Sequence, residues 1–158
     1  MSVRVVSLNP YHPVLGILIS PMVQRIMDYA RQHTPECDPL EVAKRFIVPI
    51  YMQEPTVLIL GLVNDEATLV GHMVASLQND GSKTWAQVSQ YRADGNVGEA
   101  GLEALDVIKR WAQGAGASTL VLVTTSPDGD GRWKERGFEA TRYVRHMALG
   151  QPKQPVVA

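Results

Sequence analysis

The sequence predicts one α/β (α+β) domain, a mixed, mostly antiparallel sheet flanked by helices in the order β-α-α-β-β-β-α-β-α-β. Three observations carry this. Two apolar helical stripes separate a first strand from everything that follows. Three strand-like runs then succeed one another with only short polar turns between them, the pattern of an antiparallel meander. The third run passes through a glycine-rich turn into an amphipathic helix and a further strand, which calls for a parallel crossover.

Each element has a local reason. Residues 3–8 (VRVVSL) alternate and are rich in β-branched side chains, so they read as a strand. Asn9, Pro10 and Pro13 end it. Ser20 and Pro21 read as an N-cap and first helical residue, and Met22, Val23, Ile26, Met27 and Ala30 share one helical face. Asp38-Pro39-Leu40-Glu41 has the capping-box spacing and opens a second helix to about Phe46. Residues 56–63, 68–77 and 83–91 form the meander, turned at Asn64-Asp65-Glu66 and at Gln78-Asn79-Asp80-Gly81.

Leu102, Leu105, Ile108, Trp111 and Ala112 mark the stripe of a third helix. Its acids (Glu99, Glu103, Asp106) lie toward the start and its bases (Lys109, Arg110) toward the end, as the helix dipole favours. Gly114 and Gly116 stop it. Residues 118–125 (STLVLVTT) read as a buried strand, 126–136 as a short helical turn and 138–149 as a last strand. The domain is expected to span 1–149, with 150–158 as a tail.

Composition excludes several function classes. The 158 residues carry a formal net charge of −1, which argues against nucleic-acid and anionic-membrane partners. Cys37 is the single cysteine, so an internal disulfide is ruled out and a structural zinc site lacks thiols. Asp128 and Asp130 have the spacing of a calcium loop, but the ligand ladder stops at Arg132, so no metal is expected. No apolar run has bilayer length and the first residues lack a signal-peptide core, so a cytoplasmic location is the expectation.

The chemistry-bearing segment is 91–111, YRADGNVGEAGLEALDVIKRW. A strand ends in an arginine and a glycine-rich turn, and a helix follows at once. Free backbone N–H groups and the positive end of a helix dipole then meet at one point, which suits a pyrophosphate.

The element order, together with Arg92-Ala93-Asp94-Gly95-Asn96-Val97, resembles the GCN5-related N-acetyltransferase (GNAT) superfamily. Its acyl-CoA motif reads Gln/Arg-x-x-Gly-x-Gly/Ala at the end of the fourth strand. Arg92 and Gly95 fit, valine stands at the second small-residue position, and Gly98 follows directly. Arg132-Trp133-Lys134-Glu135-Arg136-Gly137-Phe138 matches the outline of a second signature, with Trp133 where many members place the tyrosine that protonates the departing thiolate.

The resemblance implies an acetyl-CoA-dependent N-acetyltransferase acting on a small-molecule or protein amine. The implied cofactor contacts are Val88 and Gln90 along the strand end, Arg92, Ala93, Asp94, Gly95, Asn96, Val97 and Gly98 at the pyrophosphate, and Trp133. His72 is a candidate base, and Tyr91 and Tyr143 are candidate replacement acids. The plainer reading of each is a packed histidine and two strand aromatics. The alternative function is a catalytically silent GNAT-fold interaction or structural protein, a homo-oligomer or a component of a larger assembly such as a bacteriophage virion. An edge strand near the C-terminus would suit such pairing.

Overall fold

The computed structural model describes residues 2–123 together with Gly137 and Phe138. Backbone contacts divide the chain into two units, Met1–Val123 and Thr124–Ala158. The first contains β1 (Val3–Ser7), α1 (Ile19–His33), α2 (Pro39–Tyr51), β2 (Val57–Asn64), β3 (Leu69–Asn79), β4 (Thr84–Ala93), α3 (Ala100–Gly114) and β5 (Leu120–Leu122). In the second, Gly137 is a turn residue with φ +91°. The expected turn at 126–136 and the expected last strand lie outside the described residues.

The five strands are ordered β1-β2-β3-β4-β5. The first four are antiparallel neighbours and β5 pairs with β4 in parallel, as the meander and crossover predict. Both sheet faces are covered. Met22, Ile26, Ala30, Val42, Ala43, Phe46 and Ile47 from α1 and α2 pack on Ile59, Val63, Leu69 and Val74. Ala100, Ala104 and Ile108 from α3 pack on Leu60, Leu62, Met73, Ala75 and Val88. Burial on two faces is why β2 reads as a continuous apolar run, VLILGLV, with no alternation.

Local chemistry sets the boundaries. Asp38 caps α2 by accepting from the Leu40 N–H at 3.0 Å. Asp38→Ala is expected to cost about 1 kcal/mol, read as a melting point lowered by roughly 3 °C. An unchanged melting curve would show that the cap stabilises nothing. The helix then runs to Tyr51, past the expected end near Phe46. Pro49 lies in its last turn, so a missing donor there costs little helix.

The start of α1 also differs from the expectation. Ser20 is not a cap, because a 3₁₀ turn over Leu15–Leu18 feeds directly into the helix at Ile19. Pro21 is then the third helical residue, in the first turn of the helix, where proline is best tolerated. Both hairpin turns are where the sequence put them. Asn64 Oδ1 accepts from the N–H groups of Glu66 and Thr68. Asp80 Oδ1 accepts from Ser82 and Lys83, and those donors hold its pKa down at about 2.

Two irregularities matter for function. β3 opposes Val74 to Gln90 and Ala75 to Val88, so Ser89 is an extra residue in β4. This bulge changes which face the following side chains take. Val88 and Tyr91 belong to the α3 side, and Gln90 reaches the α1 side. Likewise β2 opposes Leu62 to Gly71 and Val63 to Leu69, leaving Val70 as the extra residue in β3. The Val70 carbonyl accepts the Asp94 N–H at 2.8 Å, which fixes the point where the chain leaves β4.

Candidate acyl-CoA site at the turn between β4 and α3

Residues 94–99 connect β4 to α3. Gly95 and Gly98 have φ of +72° and +61°, a region that disfavours side-chain-bearing residues. A Cβ built at either would meet nothing within 4 Å, so both face open space. Gly98 N–H is held by the Asn96 side chain at 2.9 Å. The N–H groups of Gly95, Asn96, Val97, Glu99 and Gly101 find no acceptor among the described residues. Glu99 at the N-cap makes no side-chain cap. An uncapped helix start with several open donors is what an anion needs. Val97, at the position where the GNAT motif has a small residue, is partly buried and packs against the α3-side core.

On the other face of β4 a chain of polar groups runs inward. Arg25 of α1 grips Asp94 with two bonds, Nη1 to Oδ2 at 2.7 Å and Nη2 to Oδ1 at 3.2 Å. Arg25 Nε donates to His72 Nδ1 at 3.4 Å. His72 Nε2 lies 2.9 Å from Gln90 Oε1, and Gln90 Nε2 donates to the Ile26 carbonyl at 3.4 Å. The donor at Nδ1 fixes the tautomer: the proton sits on Nε2 and is given to Gln90. Arg92, opposite His72 in the β3–β4 register, is exposed, with its Nε 3.8 Å from Asp94.

The electrostatics follow from this order. His72 is fully buried, and burial is the main reason its pKa falls to about 4; Arg25 and Arg92 add to the fall and the Gln90 bond opposes it. The ring is therefore neutral near pH 7, with both nitrogens in use. Asp94 is held below the ordinary carboxylate range, first by the Arg25 hydrogen bond. Tyr29 stands edge-on to His72, with ring centres 5.9 Å apart. Burial raises its pKa, and a hydrogen bond with the Tyr91 backbone works against that.

The structure thus brings Gln90, Arg92, Asp94 and His72 together at the end of β4. Tyr91 lies on the opposite face; its hydroxyl is where a Cβ on Gly101 would come within 2.7 Å. Val88 is buried in the α3-side core, and described pairing with β5 covers Ala86, Gln87 and Val88. Ala93 ends β4. Trp133 and Tyr143 lie outside the described residues. Among the described residues no group of three His, Cys, Asp or Glu could hold a metal, and no helix is long and apolar enough to cross a membrane.

Sequence reading missed Arg25 and Tyr29. A signal existed: Arg25 falls between Met22 and Ile26, inside the stripe that α1 buries. A charged residue at such a position needs a partner, and the partner is 69 residues away.

The fold is that of the GCN5-related N-acetyltransferase superfamily, at low sequence identity to its solved members. Glucosamine-6-phosphate N-acetyltransferase from Arabidopsis thaliana superposes with a TM-score of 0.68 at 9% identity, over 95% of this chain and 100% of that one. Ribosomal-protein-alanine N-acetyltransferase from Brucella melitensis biovar Abortus 2308 gives 0.61 at 18% identity, over 95% and 100%. A transcriptional regulator from Bacillus halodurans C-125 gives 0.67 at 15%, over 93% and 99%. No protein-family model and no curated protein matches the sequence.

Proposed function

We propose that the protein is an acyl-CoA-dependent N-acetyltransferase acting on an amine, with the pyrophosphate of acetyl-CoA held at the turn between β4 and α3. One observation carries this. The open donors of Gly95, Asn96 and Val97 stand at an uncapped helix start, on the strand where the GNAT fold binds its cofactor. The residues fit the ligand. Gly95 and Gly98 leave room for close approach, Arg92 supplies a cation, and the Asp94 carboxylate is already paired with Arg25.

Acetyl-CoA would bring an activated thioester. The chain's part is to orient it and the amine, and to take up a proton. Among the candidate acids and bases, Tyr91 lies on β4 against the start of α3, whereas His72 has neither a free lone pair nor access to solvent. We assign His72 to the support of the turn and leave Tyr91 and Tyr143 as the candidate acids. The acceptor amine would belong to a small molecule or a protein, in line with the names of the glucosamine-6-phosphate and ribosomal-protein-alanine N-acetyltransferases that share this fold.

Titration calorimetry with acetyl-CoA and CoA tests the reading. Saturable binding below millimolar concentration is expected, and absence of heat at millimolar ligand would sink it. The engaged state of His72 favours the second reading, a GNAT-fold protein that is catalytically silent and serves as a homo-oligomer or as a part of an assembly such as a virion. Binding of acetyl-CoA without turnover on a broad panel of amines would select that reading.

A further inference from the structure

We infer that Arg25 is a positioning residue for the acyl-CoA turn: seated on buried His72, it pins Asp94 to α1 and, at 2.7 Å against 3.8 Å for Arg92, is the nearer cation offsetting the carboxylate that begins the turn. The inference rests on the acyl-CoA reading and adds a residue that the motif does not contain.

Three facts support it. First, the grip is directional. Both guanidinium nitrogens Nη1 and Nη2 reach the two oxygens of Asp94, and the third nitrogen is spent on His72. A guanidinium held at three nitrogens has little freedom to leave, and its side chain is only 16% exposed. Second, the support behind it is complete. His72 Nε2–H donates a hydrogen bond to Gln90, and Gln90 donates to the Ile26 carbonyl one residue along α1 from Arg25. The network begins and ends on α1, so it ties the end of β4 to that helix. Third, the residue it holds is the first of the turn. Asp94 donates its N–H to Val70 and offers its carboxylate to Arg25, so backbone and side chain are fixed together. The donors without an acceptor among the described residues begin at the next residue, Gly95.

The charge logic follows. Asp94 occupies a free position of the motif, and a bare carboxylate there would repel a pyrophosphate. Arg25 offsets that charge from behind at 2.7 Å, so that Arg92, exposed and only loosely paired with the same carboxylate at 3.8 Å, can turn toward a ligand.

Calorimetry with CoA on four chains tests this. Arg25→Gln is expected to raise the dissociation constant about tenfold at low salt, with the loss shrinking in 0.5 M salt (about 4 Å Debye length) as screening grows. Arg25→Gln combined with Asp94→Asn should return affinity to within about threefold of the unchanged chain, while its melting point stays as low as that of Arg25→Gln. A merely structural arginine would not show this rescue. Arg25→Lys keeps the charge and should stay within about threefold, which preserves the test if the glutamine variant folds poorly. If the unchanged chain binds no CoA, both this inference and the function it rests on fall. If it binds and Arg25→Gln binds equally well, or the double variant shows no rescue, only this inference falls.

Discussion

Between pH 6.5 and pH 4 the protein is expected to lose about 3 kcal/mol of folding stability through His72 alone, at about 1.36 kcal/mol per pH unit. The unfolded chain takes up a proton at an ordinary histidine pKa near 6.5, whereas the folded chain resists it down to about 4. Protons therefore favour the unfolded state throughout this window, so stability is full above it and falls as pH drops through it. The cause is geometric. The buried ring already accepts a hydrogen bond at Nδ1 from Arg25 Nε, so protonating Nδ1 would set two donors against each other beside a cation. Asp94 acts in a lower window, since its pKa is depressed and its bond to Arg25 is lost only below the ordinary carboxylate range. Denaturant melts at a series of pH values would show the step. In a His72→Gln chain, which does not titrate, the step between pH 6.5 and 4 should vanish. A wild-type curve flat over that range would mean that His72 is not buried as a neutral ring.

Gly71→Val is expected to be the most damaging single substitution near the site, at about 3 kcal/mol or a melting point lowered by roughly 9 °C. A Cβ at residue 71 would stand 2.6 Å from Leu62 Cδ1 and 3.0 Å from the Arg92 carbonyl. Leu62 is fully buried and cannot swing away, and the carbonyl belongs to the backbone of β4. The strand that must yield is the one that carries Arg92 into the turn. CoA affinity should therefore fall together with stability. A destabilised variant that binds CoA as well as the parent would show that strain at Gly71 does not reach the turn.

Much of the fold was legible because it rests on local signals. The capping aspartate at residue 38, the Asn64 and Asp80 turns and the apolar stripes of α1 and α3 each act within a few residues, and each stands where the sequence places it. The start of α1 misled, because Ser20-Pro21 looks like a cap while the preceding 3₁₀ turn extends the helical path upstream. The candidate site was legible as a glycine turn followed by a helix. Its supporting network was not, because Arg25, His72, Gln90 and Asp94 come from α1, β3, β4 and the turn after β4, and meet only when α1 packs on β3 and β4.

The sequence by itself determined the order of the described strands and helices and the place of the glycine turn proposed to hold an anion, since both follow from periodicity, turn residues and the dipole at a helix start. The tertiary structure decided what the residues around that turn do. The extra residue at Ser89 sends Gln90 to the α1 face, where it meets His72, and Tyr91 to the α3 face. A bulge is set by pairing between strands, and so is the burial that takes His72 from a candidate base to a neutral support.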